Sequence, residues 1–214
     1  MNYPEYVEIE GKRYKINTNF KVAIECNNIA MDMSIRDYER ALAIIYKLYG
    51  EEGLNDFNNH EKLLELGQKY LACGKELKRN DGKPNMDYKQ DYGLIWASFM
   101  SDYNGLDIDK VNIHWWKFNE LISGLSNSEL GNCCILNKVR NIRSKKLSDI
   151  KDPKEKEEYR KLQNEWALEK YKPHATEEQK KSAIAFFEAL GIRKEWLYGW
   201  MDYHWYSIKY KTIR

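Results

Sequence analysis

Cysteine is scarce in this chain, with four among 214 residues. Cys26, Cys73, Cys133 and Cys134 form no CxxC pair, and two are neighbours. That spacing suits neither a zinc site nor a disulfide framework, so the expectation is buried, reduced thiols. Histidine is equally sparse, at positions 60, 114, 174 and 204, with no pair at the HxxxH spacing that places two ligands on one helix face. No metal and no cofactor are expected. No apolar run approaches the ~20 residues that cross a bilayer. The opening "MNYPEYVEIEGK" is acidic and polar where a signal peptide is basic and then apolar. The protein is therefore expected to stay in the compartment where it is made, without a membrane partner. Charge of one sign is also lacking: 35 Lys and Arg face 33 Asp and Glu, for a net charge of +2. A dedicated nucleic-acid binder carries a stronger field.

Motifs of known chemistry are missing as well. There is no GxGxxG, Walker loop, GxSxG or Cys–His signature. "DYNGLDIDK" offers Asp102, Asn104, Asp107 and Asp109 in the manner of a calcium loop, but the position of the bidentate acid is Ile113. A polar turn between helices is the better reading. The carboxylates sit among lysines at helical spacings, as on solvated faces. Nothing in the sequence specifies an enzyme.

What is present is a core: 43% of residues are hydrophobic and 14% aromatic. Residues 5–17 alternate apolar and polar around Gly11, predicting a short hairpin. The period then changes to 3.6. "TNFKVAIECNNIAMDM" carries Phe20, Ala23, Ile24 and Cys26 on one stripe. In "SIRDYERALAIIYKLYG", Ser34 and Asp37 suggest a cap and Gly50 a stop. Ile35, Tyr38, Leu42, Ile45, Leu48 and Tyr49 mark its expected buried face. A third helix is expected over about 58–78, a loop over 78–85, and a long helix across 86–105. A capping box at Ser126 and Glu129 predicts a further helix start. Asp152 before Pro153 predicts another. The fold class is mainly α, a multi-helix bundle with a short N-terminal β-hairpin. Residues 1–170 read as one helical domain, and 171–214 as an aromatic-rich helical extension packed on it.

The densest aromatic stretch is "NIHWWKFNELISGL", 112–125. On a helix Trp115, Phe118, Ile122 and Leu125 share one face, widened by His114 and Leu121. Trp116 lies about 100° away and is either a contact beneath another helix or an exposed anchor. In the tail, Trp196, Trp200 and Tyr203 share a face. Trp116, Trp196, Trp200 and Trp205 are the candidate partner-binding residues, because tryptophan is enriched in binding hot spots. The basic run "NKVRNIRSKK" follows the tryptophans, the combination of charge and stacking used on single strands. The acidic "SDIKDPKEKEE" neutralises it directly afterwards.

The stretch "DYGLIWASFMSDYNGLDIDKVNIHWWKFNELISGL", followed by an Arg-containing helix and "LSDIKDPKEKEEYRKLQNEWAL", resembles the bacteriophage gene-product-fifteen family. The upstream "INTNF" resembles the family's opening, and the likeness covers roughly residues 16–170. Its most specific positions are Asp91, Ile95, Phe99, Tyr103, Asp107, His114, Trp115, Trp116, Phe118, Leu121, Gly124 and Leu125. The family's tyrosine–glycine step is loosened here to Tyr103–Asn104–Gly105. No catalytic residue carries over. By gene position, the resemblance implies a role in tail assembly in long-tailed phages and prophages of Gram-positive bacteria. It implies a chaperone that coats the tape-measure protein in the host cytoplasm, meets other tail proteins and is absent from the mature virion. The alternatives are a structural tail or head-tail completion protein retained in the virion, and a nucleic-acid module centred on Lys138–Lys146. Self-association is left open.

Overall fold

Glu10 and Gly11 reverse the chain with φ of 51° and 82°, a two-residue turn with both central residues left-handed, as tight hairpins prefer. The turn joins β1 (Tyr6–Ile9) to β2 (Lys12–Lys15), antiparallel with Val7 opposite Tyr14. The computed structural model describes residues 3–75, 84–127 and 133–169. The hairpin is too small to stand alone. It is tied to the helices by Ile9, Tyr14 and Ile16, all buried, and by the Asn17 amide, which donates to the Leu48 carbonyl at 2.7 Å. The Tyr14 ring meets Tyr49 edge-on at 6.4 Å.

The helices are α1 (Phe20–Met31), α2 (Asp37–Leu54), α3 (His60–Leu71), α4 (Tyr92–Asp102), α5 (Trp115–Ser123), α6 (Ile135–Ser144) and α7 (Pro153–Glu165). Short 3-10 turns precede α3 and α7. The mainly helical bundle with its N-terminal hairpin is thus the fold of the described residues. Consecutive α1, α2 and α3 pack together, α5 lies against α1, and α4 packs on α6, which carries α7. One core of Phe20, Ile45, Leu48, Leu63, Ile95, Phe99, Ile108, Trp115 and Phe118 joins these pieces, α6 contributing Leu136, with its own Val139 also buried.

Several boundaries differ from the sequence reading. Ser34 does not cap α2; its amide and hydroxyl donate to Asp32, at 3.0 and 2.6 Å. Arg36 takes the cap position, its amide reached by Glu39. Asp32 takes the Ser34 amide, and the box two residues on, Arg36 with Glu39, opens α2. Gly50 ends the regular run of α2 as expected, and a short second helical stretch follows it. At φ 67° it kinks the chain, which resumes to Leu54; only glycine takes that angle at little cost. The helix expected over 86–105 begins at Tyr92, because Asp87 accepts from the amides of Lys89 and Gln90 and holds a turn there. α3 closes at Leu71, followed by Cys73 and Gly74 with positive φ. Glu129 and the first turn of the helix expected from Ser126 lie outside the described residues. Asn127 bridges Cys133, and α6 starts after Cys134. Tyr38, expected on the buried face of α2, is 66% exposed. The expected helices beyond residue 170, and residues 78–83 of the expected loop, lie outside the described residues.

One surface group predicts acid behaviour. Asp56 accepts hydrogen bonds from the Tyr14 hydroxyl, from Lys12 at 3.0 Å and from Asn59 at 3.2 Å, and these hold its pKa down to about 2. A carboxylate lowered in the folded state contributes stability above its unfolded pKa of about 3.9, and loses it as pH falls through the folded value. Thermal denaturation against pH should therefore show stability falling between about pH 4 and pH 2. Asp56→Asn should lose less over that interval; an unchanged slope would exclude the bond.

Candidate functional site

Helices α1 and α5 start side by side. Asn19 caps α1 by accepting from the Lys21 amide at 2.8 Å, and His114 caps α5 by accepting at Nδ1 from the Trp116 amide at 3.1 Å. Between them the Phe20 amide donates to the Ile113 carbonyl and the Trp115 amide to Thr18, at 3.0 and 2.8 Å. The His114 ring stacks on Tyr3 at 4.8 Å and meets Tyr70 edge-on at 5.9 Å. With Nδ1 accepting, Nε2 carries the proton and donates to the Pro4 carbonyl at 3.1 Å, an assignment made from its partners. Both ring nitrogens are spent on main chain. His114 is a cap, not a base or ligand.

The adjacent tryptophans divide the end of α3 between them. The last turn of a helix leaves carbonyls without partners. Trp115 Nε1 donates to the Leu71 carbonyl and Trp116 Nε1 to the Tyr70 carbonyl, each at 2.9 Å. Trp115 is 2% exposed and turns its ring edge to Tyr88. Trp116 is half-buried and stacks on Tyr70 at 6.2 Å. Its ring edge would lie 3.1 Å from a Cβ at Gly74, whose φ is +70°. Both facts favour glycine there. Of the two places the sequence left open for Trp116, the structure gives the contact beneath another helix.

The other signature positions surround this centre. Ile95, Phe99, Phe118 and Leu125 are buried, and Leu121 is half-buried. Phe118 stacks on Phe20 at 4.2 Å and on Phe99 at 5.5 Å. The Tyr103 hydroxyl donates to the Leu121 carbonyl at 2.6 Å, close over Gly124. Asp107 accepts from Trp96 Nε1 at 3.0 Å and pairs with Lys110. The carboxylates of the calcium-like stretch are likewise taken up by protein donors: Asp102 by the Ser126 amide, Asp109 by Tyr92 and Lys21. Trp196, Trp200 and Trp205 lie outside the described residues.

Asp91 anchors the part that sequence reasoning missed. Its carboxylate takes both Nη groups of Arg143, at 2.6 and 2.8 Å. The two side chains are only 2% and 7% exposed. Arg143 also donates to the carbonyls of Asn85 and Trp166, at 3.0 and 2.6 Å. It therefore joins the approach to α4, the end of α6 and the exit from α7. Gln163 of α7 donates to the carbonyls of Ile142 and Lys145, and the Gln90 amide group receives Glu169 and donates to Ala167. Arg140 is spent on Asn85 and Asn137. Both arginines of "NKVRNIRSKK" are thus engaged internally, leaving Lys138, Lys145 and Lys146 as its cations. The signal available was the i, i+3 spacing of Arg140 and Arg143 on the side of α6 next to buried Asn137 and Val139.

Three thiols are held in the poorly nucleophilic form. Burial pushes Cys26 up to about 12 and raises Cys73 and Cys133 as well, which keeps them protonated. Among the described residues no cluster of three or more His, Cys, Asp or Glu could hold a metal ion. A groove of about 730 Å³ runs past Ser101, Tyr103, Gly124, Cys133 and Lys138.

Among the described residues, fold and centre together define a mainly helical unit held by aromatic contacts and the buried Asp91–Arg143 ion pair. Residues 2–168 match the family model described as Bacteriophage Gp15 protein. The chain belongs to that phage protein family. No curated protein and no solved structure matches it.

Proposed function

We propose that this phage protein is a non-enzymatic tail-assembly chaperone that binds the tape-measure protein during tail morphogenesis. A tape measure is a very long helical chain, and its apolar stripes aggregate if left bare. A helical protein with uncovered apolar side chains covers such stripes by helix-in-groove packing. The supporting observation is the family membership joined to a surface that leaves Met31, Met33 and Phe57 between 70% and 83% exposed. On this reading the protein acts in the host cytoplasm, meets other tail proteins in passing and leaves before the virion is complete. Among the described residues no helix is long and apolar enough to cross a membrane.

Co-expression is the test. The soluble yield of the tape-measure protein should rise with this chain present, and the two should co-purify. An unchanged yield with no co-purification excludes the reading. Mass spectrometry of purified particles separates it from a structural or head-tail completion role, in which the protein is stoichiometric in the virion.

A further inference from the structure

Two stretches of main chain are tied together by one imidazole. His114 holds the first turn of α5 through Nδ1, which accepts from the Trp116 amide at 3.1 Å. It holds the segment before β1 through Nε2, which donates to the Pro4 carbonyl, also at 3.1 Å. The ring stacks on Tyr3 at 4.8 Å, 19° from parallel, and the Tyr3 hydroxyl donates onward to Glu120 of α5 at 2.6 Å. One residue further on, the chain is anchored without the ring. The Glu5 carbonyl accepts from the Ile16 amide at 2.8 Å, and Ile9, Tyr14 and Ile16 are buried. Tyr3 and Pro4 are therefore a short strap across the start of α5, held there by His114 and, through the phenol, by Glu120.

This fastening needs the neutral ring. A protonated imidazole carries hydrogen on both nitrogens and accepts nothing. Protonation sets an N–H at Nδ1 against the Trp116 N–H, with the two nitrogens 3.1 Å apart. It also puts a cation where α1 and α5 start side by side, and helix starts disfavour positive charge. Each neighbouring element has been weighed against this. On α5, exposed Lys117 adds charge of the same sign, and Glu120 is tied to the Tyr3 hydroxyl. On α1, Asn19 accepts from the Lys21 amide, and the Lys21 ammonium pairs with Asp109. From α3, Tyr70 meets the ring edge-on at 5.9 Å, and Cys73 and Lys75 follow the helix end. Beyond the strap, Glu5 is exposed. Because the imidazole is rigid, turning Nδ1 away from the Trp116 amide also turns Nε2 away from Pro4 and breaks the stack on Tyr3. One proton thus undoes the cap and the strap together.

We propose that His114 is an acid-released latch: protonation of its ring frees the Trp116 amide and lifts Tyr3 and Pro4 from the start of α5, while the hairpin and the helices stay folded. The latch does not depend on the chaperone reading. The test uses the full chain at about pH 8 and about pH 5, either side of the range in which histidine ordinarily titrates. Hydrogen exchange in the parent should show the protection factor of the Trp116 amide falling about tenfold at the lower pH, the loss of one capping bond. The Ile45 amide in the core should keep its protection. His114→Asn retains a side-chain acceptor at the cap, as Asn19 does for α1, but takes up no proton. Its Trp116 protection should be equal at the two pH values. His60→Gln, at the other described histidine, should leave the fall intact. Equal protection at both pH values in the parent overturns the proposal, and so does an equal fall in His114→Asn. If His114→Asn does not fold, the imidazole nitrogen resonances of the parent decide. The His114 ring should take its proton over the interval in which the Trp116 amide opens and the Tyr3 ring resonances move. A Trp116 amide that opens while the ring stays neutral, or stays closed after the ring is protonated, overturns the latch.

Discussion

Arg143→Met should cost about 3–5 kcal/mol of folding stability, the usual penalty for leaving one member of a buried ion pair without its partner. Against a total of about 5–15 kcal/mol for a domain, that is about a fifth or more. The reason is local. Asp91 is 2% exposed and keeps the Asp87 amide as a donor at 2.9 Å, but its charge is matched by Arg143 alone among the ion pairs it makes. The double variant Asp91→Leu/Arg143→Met should recover part of the loss, since removing both charges removes the uncompensated one. Recovery is incomplete, because the carbonyls of Asn85 and Trp166 still lose their donor. Arg143→Lys should fall between, because an ammonium lacks the planar fork that matches a carboxylate. Urea denaturation of the four proteins checks the order. A single variant within about 1 kcal/mol of the parent would show that the pair holds nothing together.

That ion pair marks the boundary of what the sequence discloses. Periodicity places the hairpin, the core faces of α1 and α5 and the start of α7 at Asp152–Pro153, because each is decided within one turn or one helix. Arg143 looks like one more charge in a basic run, since its partner lies 52 residues away and no local spacing names it. The same limit explains Tyr38. A helix stripe says which face is apolar, but not how far the rest of the molecule extends along it. Ser34 does not cap α2 for a related reason: Asp32 competes with Asp37 for its amide, and spacing alone does not decide between two acceptors. The aromatic cluster was legible as core in Trp115 and Phe118. The role of Trp116 became clear only with Gly74 and the end of α3 beside it.

Phe118→Ala should be the most costly substitution in the aromatic centre, at about 3–5 kcal/mol. Phe118 is wholly buried where three helices meet: Phe20 of α1 stacks on it, Phe99 of α4 lies at 5.5 Å, and Trp115 of its own helix lies at 6.0 Å. Truncation leaves a void walled by rings on separate helices. Two rings beside it are held by hydrogen bonds, Trp115 to the Leu71 carbonyl and Tyr88, 6.5 Å from Phe118, to Asn119, so collapse into the space is restricted and most of the cavity cost remains. Phe118→Leu keeps much of the volume and should cost about 1–2 kcal/mol, chiefly lost stacking. Phe57→Ala supplies the contrast at the surface. Phe57 is 75% exposed, and its loss should stay within about 0.5 kcal/mol. Under the chaperone reading, Phe118→Ala should lower the amount of folded protein, while the client affinity of the folded fraction stays at the parent value. Chemical denaturation gives the first quantity, and a pull-down normalised to folded protein gives the second. Equal losses at positions 57 and 118 would mean that the rings do not form the dry centre on which the packing of α1, α4 and α5 depends.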